Sequence, residues 1–167
     1  MVRECLAVLA LVPGTGCSLI LDFSESAVTP PDAAFSQAEC DFKEPNNALA
    51  EAALFDPADV GPAAICTAPG ATDDRDFYKL TVPAATSVTI TITFVSTPTG
   101  DLDLKLTDTA GATLGQSRGF GDRESITCPG AAPLCSALAA GDYVFEVFPA
   151  QAGMTNRYDI AVELTPM

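Results

Sequence analysis

The sequence predicts an all-β domain, an antiparallel jelly-roll β-sandwich of about eight strands. Three observations lead to this prediction. Residues 87–94 alternate hydroxyl and apolar side chains without a break. The same period-two alternation recurs over residues 102–106 and 158–164. Short segments rich in Pro, Gly and Asp separate these stretches, which is typical of the tight turns between antiparallel strands.

The N-terminus has the layout of a secretory signal peptide over residues 1–16. Arg3 precedes an apolar run from Cys5 to Val12, and small residues continue to Gly16. Because Cys17 directly follows a small residue, the leader resembles a bacterial lipoprotein signal, which implies that Cys17 is lipidated. Ordinary secretion, with Cys17 near or before the cleavage point, is the alternative.

Residues 17–39 are polar and proline-bearing, which is typical of a semi-extended tether, and residues 40–167 hold the predicted sandwich domain. Beyond the leader, no stretch approaches the ~20 apolar residues of a membrane span. We therefore expect contact with a membrane only through a lipid anchor.

Composition excludes several classes of function. A formal net charge of -14 with 8 basic residues argues against binding to nucleic acid, which requires a basic face. The chain has no His, so His-dependent nucleophilic catalysis and His-based zinc sites are excluded. Hydrophobic residues make up 48% of the chain, which favours a folded protein.

Four cysteines remain after Cys5 in the leader and Cys17. In an exported chain an even number favours two disulfides. Of the three possible connectivities, sequence proximity favours Cys40 with Cys66 and Cys128 with Cys135. Free structural thiols are the alternative.

Two further elements are predicted from local patterns. Residues 143–148 are apolar enough to form a central strand. Asn46-Asn47 before residues 48–54 predicts a helical turn with an Asn cap, because Asn is a good N-cap and Ala, Leu and Glu favour helix.

An acidic loop leads into the strand in which Tyr78, Leu80 and Val82 share one face, and that face is predicted to lie in the core. Four motifs then follow one another in the chain: Glu44-Pro45-Asn46-Asn47, Asp74-Arg75-Asp76-Phe77-Tyr78, Gly100-Asp101-Leu102-Asp103-Leu104 and Ala140-Gly141-Asp142-Tyr143. Over roughly residues 40 to 165 they resemble the bacterial pre-peptidase C-terminal domain, which is similar to the collagen-binding domains of clostridial collagenases. The resemblance implies a jelly-roll sandwich with an accessory role in exported proteins.

The resemblance also implies a calcium site that joins the N-terminal segment to the sandwich. Matched position by position, it nominates Glu44, Asn46, Asn47, Asp74 and Asp76 as ligands, with Asp73 as a substitute. All of these offer oxygen, the atom that Ca²⁺ prefers. Phe42 stands where the relatives have a further acidic ligand, although Asp41 is adjacent. The alternative is that these acidic loops are solvated and hold no ion.

We therefore expect an exported, lipid-anchored, non-catalytic binding module of the cell surface, stabilised by Ca²⁺. Its expected partner is an extracellular protein or polysaccharide. One alternative is a chaperone or inhibitor of a separately encoded secreted peptidase. Another is a hydrolytic enzyme, since Asp101 and Asp103 are predicted to face outward as a carboxylate pair, but no second feature of a catalytic site accompanies them.

Exposed aromatic side chains are the candidates for a recognition surface, because rigid aromatics carry much binding energy. The sequence offers Phe77, Phe120 and Phe148. The alternative for Phe77 and Phe148 is a place in the core.

Overall fold

The computed structural model of the chain describes residue 40 and residues 42–58, 63–66, 74–130 and 135–167. The predicted signal peptide at 1–16, the tether at 17–39 and the lipidation candidate Cys17 lie outside the described residues. Along the described part of the chain, no helix has the length and apolar composition needed to cross a bilayer.

The described residues form two facing β-sheets, which confirms the predicted β-sandwich. In chain order the nine strands that the structure describes are β1 (Ala53–Leu54), β2 (Ala63–Ile65), β3 (Asp76–Val82), β4 (Thr86–Phe94), β5 (Leu102–Asp108), β6 (Thr113–Ser117), β7 (Arg123–Cys128), β8 (Gly141–Pro149) and β9 (Asn156–Pro166).

The first sheet has the strand order β1-β3-β8-β5-β6, and the second has the order β2-β9-β4-β7. Every pairing is antiparallel except that of β1 with β3. Strand β8 lies between β3 and β5, as its continuous apolar sequence predicts. Apart from the consecutive strands β5 and β6, neighbours in each sheet are distant in the chain, so the sheets depend on long-range pairing.

Period-two alternation places the apolar side chains between the sheets. On β3 the side chains of Tyr78, Leu80 and Val82 are buried, as predicted. Strand β4 contributes Ile90 and Ile92 from the opposite sheet. Closing the sandwich therefore removes both apolar faces from water, which is the main driving force for this fold.

The segment before β1 differs from the prediction. A short 3₁₀ turn forms at Leu49–Glu51, its N-cap position is Ala48, and no side chain caps it. The predicted Asn cap is wrong, because the Asn46 side chain is fully buried beside acidic groups. Phe55, directly after β1, anchors this part of the chain, because its ring packs edge-on against Tyr78 and Phe145 in the core.

Two disulfides join Cys40 to Cys66 and Cys128 to Cys135. They are the pairs that sequence proximity favours. The first connects the start of the domain to the end of β2, a separation of 26 residues. The second closes a separation of only 7 residues after β7.

Candidate metal centre

Three carboxylates converge where the N-terminal segment meets the start of β3. One oxygen each of Glu44, Asp74 and Asp76 lies within 4.8 Å of the other two. Asp76 is deeply buried, whereas Glu44 and Asp74 are half-buried. These are the three acidic members of the nominated ligand set. The fold brings Glu44 next to Asp74 and Asp76, although they are about thirty positions apart in the chain.

Hydrogen bonds from neighbouring residues fix Glu44 and Asp74 in place. Glu44 Oε2 accepts hydrogen bonds from the backbone N–H of Asn46 at 2.7 Å and from Asn47 Nδ2 at 2.9 Å. Asp74 Oδ2 accepts one from the backbone N–H of Cys66 at 2.7 Å. Because Cys66 is bonded to Cys40, the disulfide and the acidic loop are mechanically linked.

Asn46 lies beneath the carboxylates. Its backbone oxygen accepts a hydrogen bond of 2.9 Å from the N–H of Phe77, which docks the segment on β3. One end of its side-chain amide lies 3.1 Å from Glu44 Oε2 and 3.2 Å from Asp76 Oδ1. With nitrogen at that end, the amide donates to both acids. With oxygen there, four side chains direct oxygens at one another, an arrangement that a cation stabilises.

Asp76 forms a hydrogen-bonded link to two buried tyrosines. The hydroxyl of Tyr158 on β9 donates to Asp76 Oδ2, and it lies 2.8 Å from the hydroxyl of Tyr78 on β3. The link therefore crosses from one sheet to the other underneath the acidic cluster. No such contact is visible in the sequence, because Tyr158 is 82 residues from Asp76.

The electrostatics of the cluster disfavour its charged form. Burial, together with the negative charges of Asp74 and Glu44, raises the pKa of Asp76 from 3.8 to about 8, against the opposing effect of the hydrogen bond from Tyr158. Burial also raises the pKa of Asp74, against backbone hydrogen bonds from Cys66 and Arg75. A bound cation would reverse this balance by stabilising the carboxylates.

Burial, followed by the nearby charge of Asp76, raises the pKa of both Tyr78 and Tyr158. Both hydroxyls therefore stay protonated and can serve as donors at neutral pH. The tyrosines support Asp76 and have no feature of a catalytic acid or base.

The donor set fits a hard divalent cation. Glu44, Asp74 and Asp76 supply only oxygen, and the Asn46 amide adds a further oxygen in the orientation that directs it at the acids, a set that suits Ca²⁺ better than a softer metal. Asn47 lies at the exposed edge and directs its amide nitrogen to Glu44. The substitute Asp73 and the neighbouring Asp41 lie outside the described residues. Phe42 packs against the hydrophobic core, so its apolar character has a structural cause.

Arg75 lies between two of the acids in sequence, but its side chain turns to the outer face of the first sheet. There Arg75 and Lys105 form salt bridges to the buried Glu146. Arg75 and Arg118 also contact the ring of Phe148, at 5.2 and 5.1 Å from its centroid. Phe148 is 5% exposed, so it does not present an open recognition surface.

The prediction that Asp101 and Asp103 face solvent is wrong. Both side chains are buried, because loops and Arg118 cover this end of β5, and Arg118 Nε lies 3.9 Å from Asp103 Oδ2. Burial raises the pKa of Asp103 to about 6, although the charge of Arg118 opposes the rise. Of the three aromatic candidates, Phe77 is half-buried and Phe120 is 93% exposed.

Residues 74–149 match the family model of the bacterial pre-peptidase C-terminal domain. The matched span begins in the acidic loop and runs to the end of β8. This family is one of non-catalytic accessory domains. The match and the two disulfides indicate an exported protein, because disulfides persist in oxidising compartments.

Among the solved structures similar to this chain are a collagenase domain and a lysozyme inhibitor. The pre-peptidase C-terminal domain of collagenase from Bacillus anthracis is 13% identical, with a TM-score of 0.46, and the match covers 63% of this chain and 88% of that one. PliG from Aeromonas hydrophila, a periplasmic inhibitor of g-type lysozyme, is 14% identical, with a TM-score of 0.41 and coverage of 66% and 91%. No curated protein matches the chain.

Proposed function

We propose that this chain is an exported, non-catalytic binding module of the pre-peptidase C-terminal type, lipid-anchored through Cys17 and stabilised by calcium. Its partner is an extracellular protein or polysaccharide. The family match over residues 74–149 supports the module type and the accessory role. The convergence of Glu44, Asp74 and Asp76 within 4.8 Å carries the calcium part of the proposal.

Calcium would act as a clamp between the N-terminal segment and the sandwich. Glu44 belongs to the segment before β1, whereas Asp76 begins β3. An ion bound by both would neutralise the cluster and hold the segment before β1 against the start of β3. The role of these residues is to bind and orient, and no reaction step is involved.

Thermal melting in calcium and in chelator tests the clamp. We expect Ca²⁺ to raise the Tm of the full chain, and Mg²⁺ to raise it less because Mg²⁺ requires stricter octahedral geometry. In Asp76→Asn the calcium increment should disappear, and above pH 8, where the parent's Asp76 is charged, the apo variant should melt higher than the parent because it lacks that buried charge. Asp159→Asn, an exposed site on β9, is the control that keeps the increment. Equal melting curves of the parent chain in calcium and chelator would overturn the clamp.

Asn46→Asp distinguishes the two orientations of the amide. If oxygens surround a cation, the added carboxylate lowers stability in chelator but strengthens calcium binding. If the amide nitrogen holds the acids together without an ion, Asn46→Asp destabilises the protein equally in calcium and in chelator. The comparison therefore decides between a metal centre and a hydrogen-bonded cluster.

The anchor is tested separately by labelling cells with a radioactive fatty acid. The parent chain should carry the label and partition with membranes, and Cys17→Ser should lose both properties. Label retained in Cys17→Ser, or no label in the parent, would contradict the lipid anchor and leave the calcium clamp unaffected.

A further inference from the structure

Three loops meet at one end of the sandwich and line an open pocket of about 320 Å³. They are the loops that connect β4 to β5, β6 to β7, and β8 to β9. The pocket is lined by residues that include Thr97, Pro98, Asp101, Phe120, Gln151 and Met154. The pocket shares no residue with the acidic cluster of the candidate metal centre.

Asp101 gives this pocket a buried carboxylate, one oxygen of which has no hydrogen-bond donor. The side chain is 7% exposed, and its Oδ1 accepts no hydrogen bond from any residue that the structure describes. Buried carboxylate oxygens in folded proteins almost always have a donor, because burying one without a donor costs free energy. The missing donor leaves this carboxylate incompletely satisfied in a residue that lines the pocket, which points to a cationic ligand.

The rim of the pocket is apolar and exposed. Phe120 is 93% exposed, and Val95, next to the lining residue Ser96, is 70% exposed. These are two of the four large hydrophobic side chains that stand exposed along the described ranges. Of these, Phe120 itself lines the pocket, and an exposed aromatic side chain beside a buried polar contact is the pattern of a recognition site.

The backbone holds the loops around the pocket in a fixed arrangement. The backbone N–H of Ala150 donates to the backbone oxygen of Asp101 at 3.0 Å, and the backbone N–H of Thr155 donates to the backbone oxygen of Thr99 at 3.3 Å. Asp122 Oδ1 accepts a 2.7 Å hydrogen bond from the backbone N–H of Ser96. Because these bonds form within the chain itself, binding would require little ordering of the loops.

We propose that this pocket binds a Lys or Arg side chain of a basic extracellular protein. The aliphatic stem packs against Met154 and Pro98, and the cationic head pairs with the carboxylate of Asp101. Phe120 adds a face over which the cation can lie. This deepens the proposed binding function by naming the class of partner, and it rests on that function only in taking the chain as a binding module.

The observations favour a basic protein over other occupants. The net charge of -14 draws basic proteins toward the chain and repels acidic ones. Along the described ranges, the acids that group as a metal site are Glu44, Asp74 and Asp76, and Asp101 is not among them. Phe120 and Val95 together expose more apolar surface than one bound side chain could cover. This surface therefore suits contact with a protein better than contact with a small free amine.

The test uses n-butylguanidinium as a probe and its uncharged analogue n-butylurea as a control, both titrated into the full chain and followed by amide chemical shifts. We expect saturable shifts at residues 96–101, 120 and 151–154 with a millimolar dissociation constant for the cation. Asp101→Asn should weaken binding by roughly tenfold, the loss of one charged hydrogen bond. Asp159→Asn should leave binding unchanged.

Phe120→Ser is a second variant that cannot act through unfolding, since its side chain is almost fully exposed. It should weaken the binding of n-butylguanidinium severalfold. Equal binding of n-butylurea, unchanged binding in Asp101→Asn, or the absence of saturable shifts would each overturn the proposal. The calcium-dependent Tm of Asp101→Asn is measured in parallel, because its retention separates failure of the pocket from failure of the clamp.

Discussion

Tyr158 donates a hydrogen bond to Asp76 from the opposite sheet, and this bond lies directly beneath the acidic cluster. Asp76 begins β3, and Tyr158 lies near the start of β9. The same tyrosine hydroxyl also meets that of Tyr78. The position of the buried acid is therefore set by the packing of the two sheets and not only by its own loop.

Tyr158→Phe should destabilise the protein by about 1–3 kcal/mol, because it removes a donor from a buried carboxylate and leaves the ring in place. Urea unfolding in chelator measures the loss. Tyr143→Phe is the matched control, since its hydroxyl donates to the exposed backbone oxygen of Ala139 at 2.9 Å. Equal losses in the two variants would show that the hydroxyl of Tyr158 has no special role.

Stability without metal should fall as the pH rises from about 4 to about 8. The pKa of Asp76 is raised from 3.8 to about 8 in the native state, so in this range the native state binds a proton that the unfolded chain has released. The stabilisation that protonated Asp76 contributes is fully present below pH 3.8 and is lost as the pH passes about 8. Above pH 8 it no longer changes.

The measurement is the difference in unfolding free energy between the parent and Asp76→Asn at pH 5 and pH 8 in chelator. Subtracting the variant cancels most of the titration of other groups. The parent should lose more stability than Asp76→Asn, and saturating calcium should reduce that loss. A difference that stays constant with pH would contradict the raised pKa.

Removing the disulfide between Cys40 and Cys66 should cost about 2–4 kcal/mol, because the loop that it closes is long. It should also weaken calcium binding, since the backbone N–H of Cys66 holds Asp74 at 2.7 Å. The double Ala variant is compared by urea unfolding and calcium titration. The double Ala variant of Cys128 and Cys135 removes a disulfide that closes a shorter loop. It should lose less stability and bind calcium as the parent does.

Gly100→Ala should destabilise the loop that forms one wall of the pocket. A Cβ at this position would lie 2.8 Å from Thr97 Oγ1 and 3.0 Å from both Asn156 Nδ2 and the oxygen of Thr155. We expect a lower Tm and a weaker response to n-butylguanidinium. Gly121→Ala is the control, because its Cβ would meet no atom within 4 Å. Similar Tm losses for both would refute the steric argument.

Local pattern was sufficient for much of the fold. The alternation of β4 assigns Ile90 and Ile92 to the core because successive side chains of a strand point to opposite faces. The apolar run of β8 predicts its central position because both of its faces are covered. These properties follow from the geometry of one strand, so the sequence alone determines them.

Contacts between distant strands could not be obtained in the same way. The sequence nominated Asp76, but the link to Tyr158 depends on how two sheets face each other. Asp101 has the pattern of an outward side chain, yet loops from three parts of the chain bury it. Alternation reports only which side of a strand a residue occupies, whereas tertiary packing decides what covers that side, and both the acidic cluster and the pocket arise from that packing.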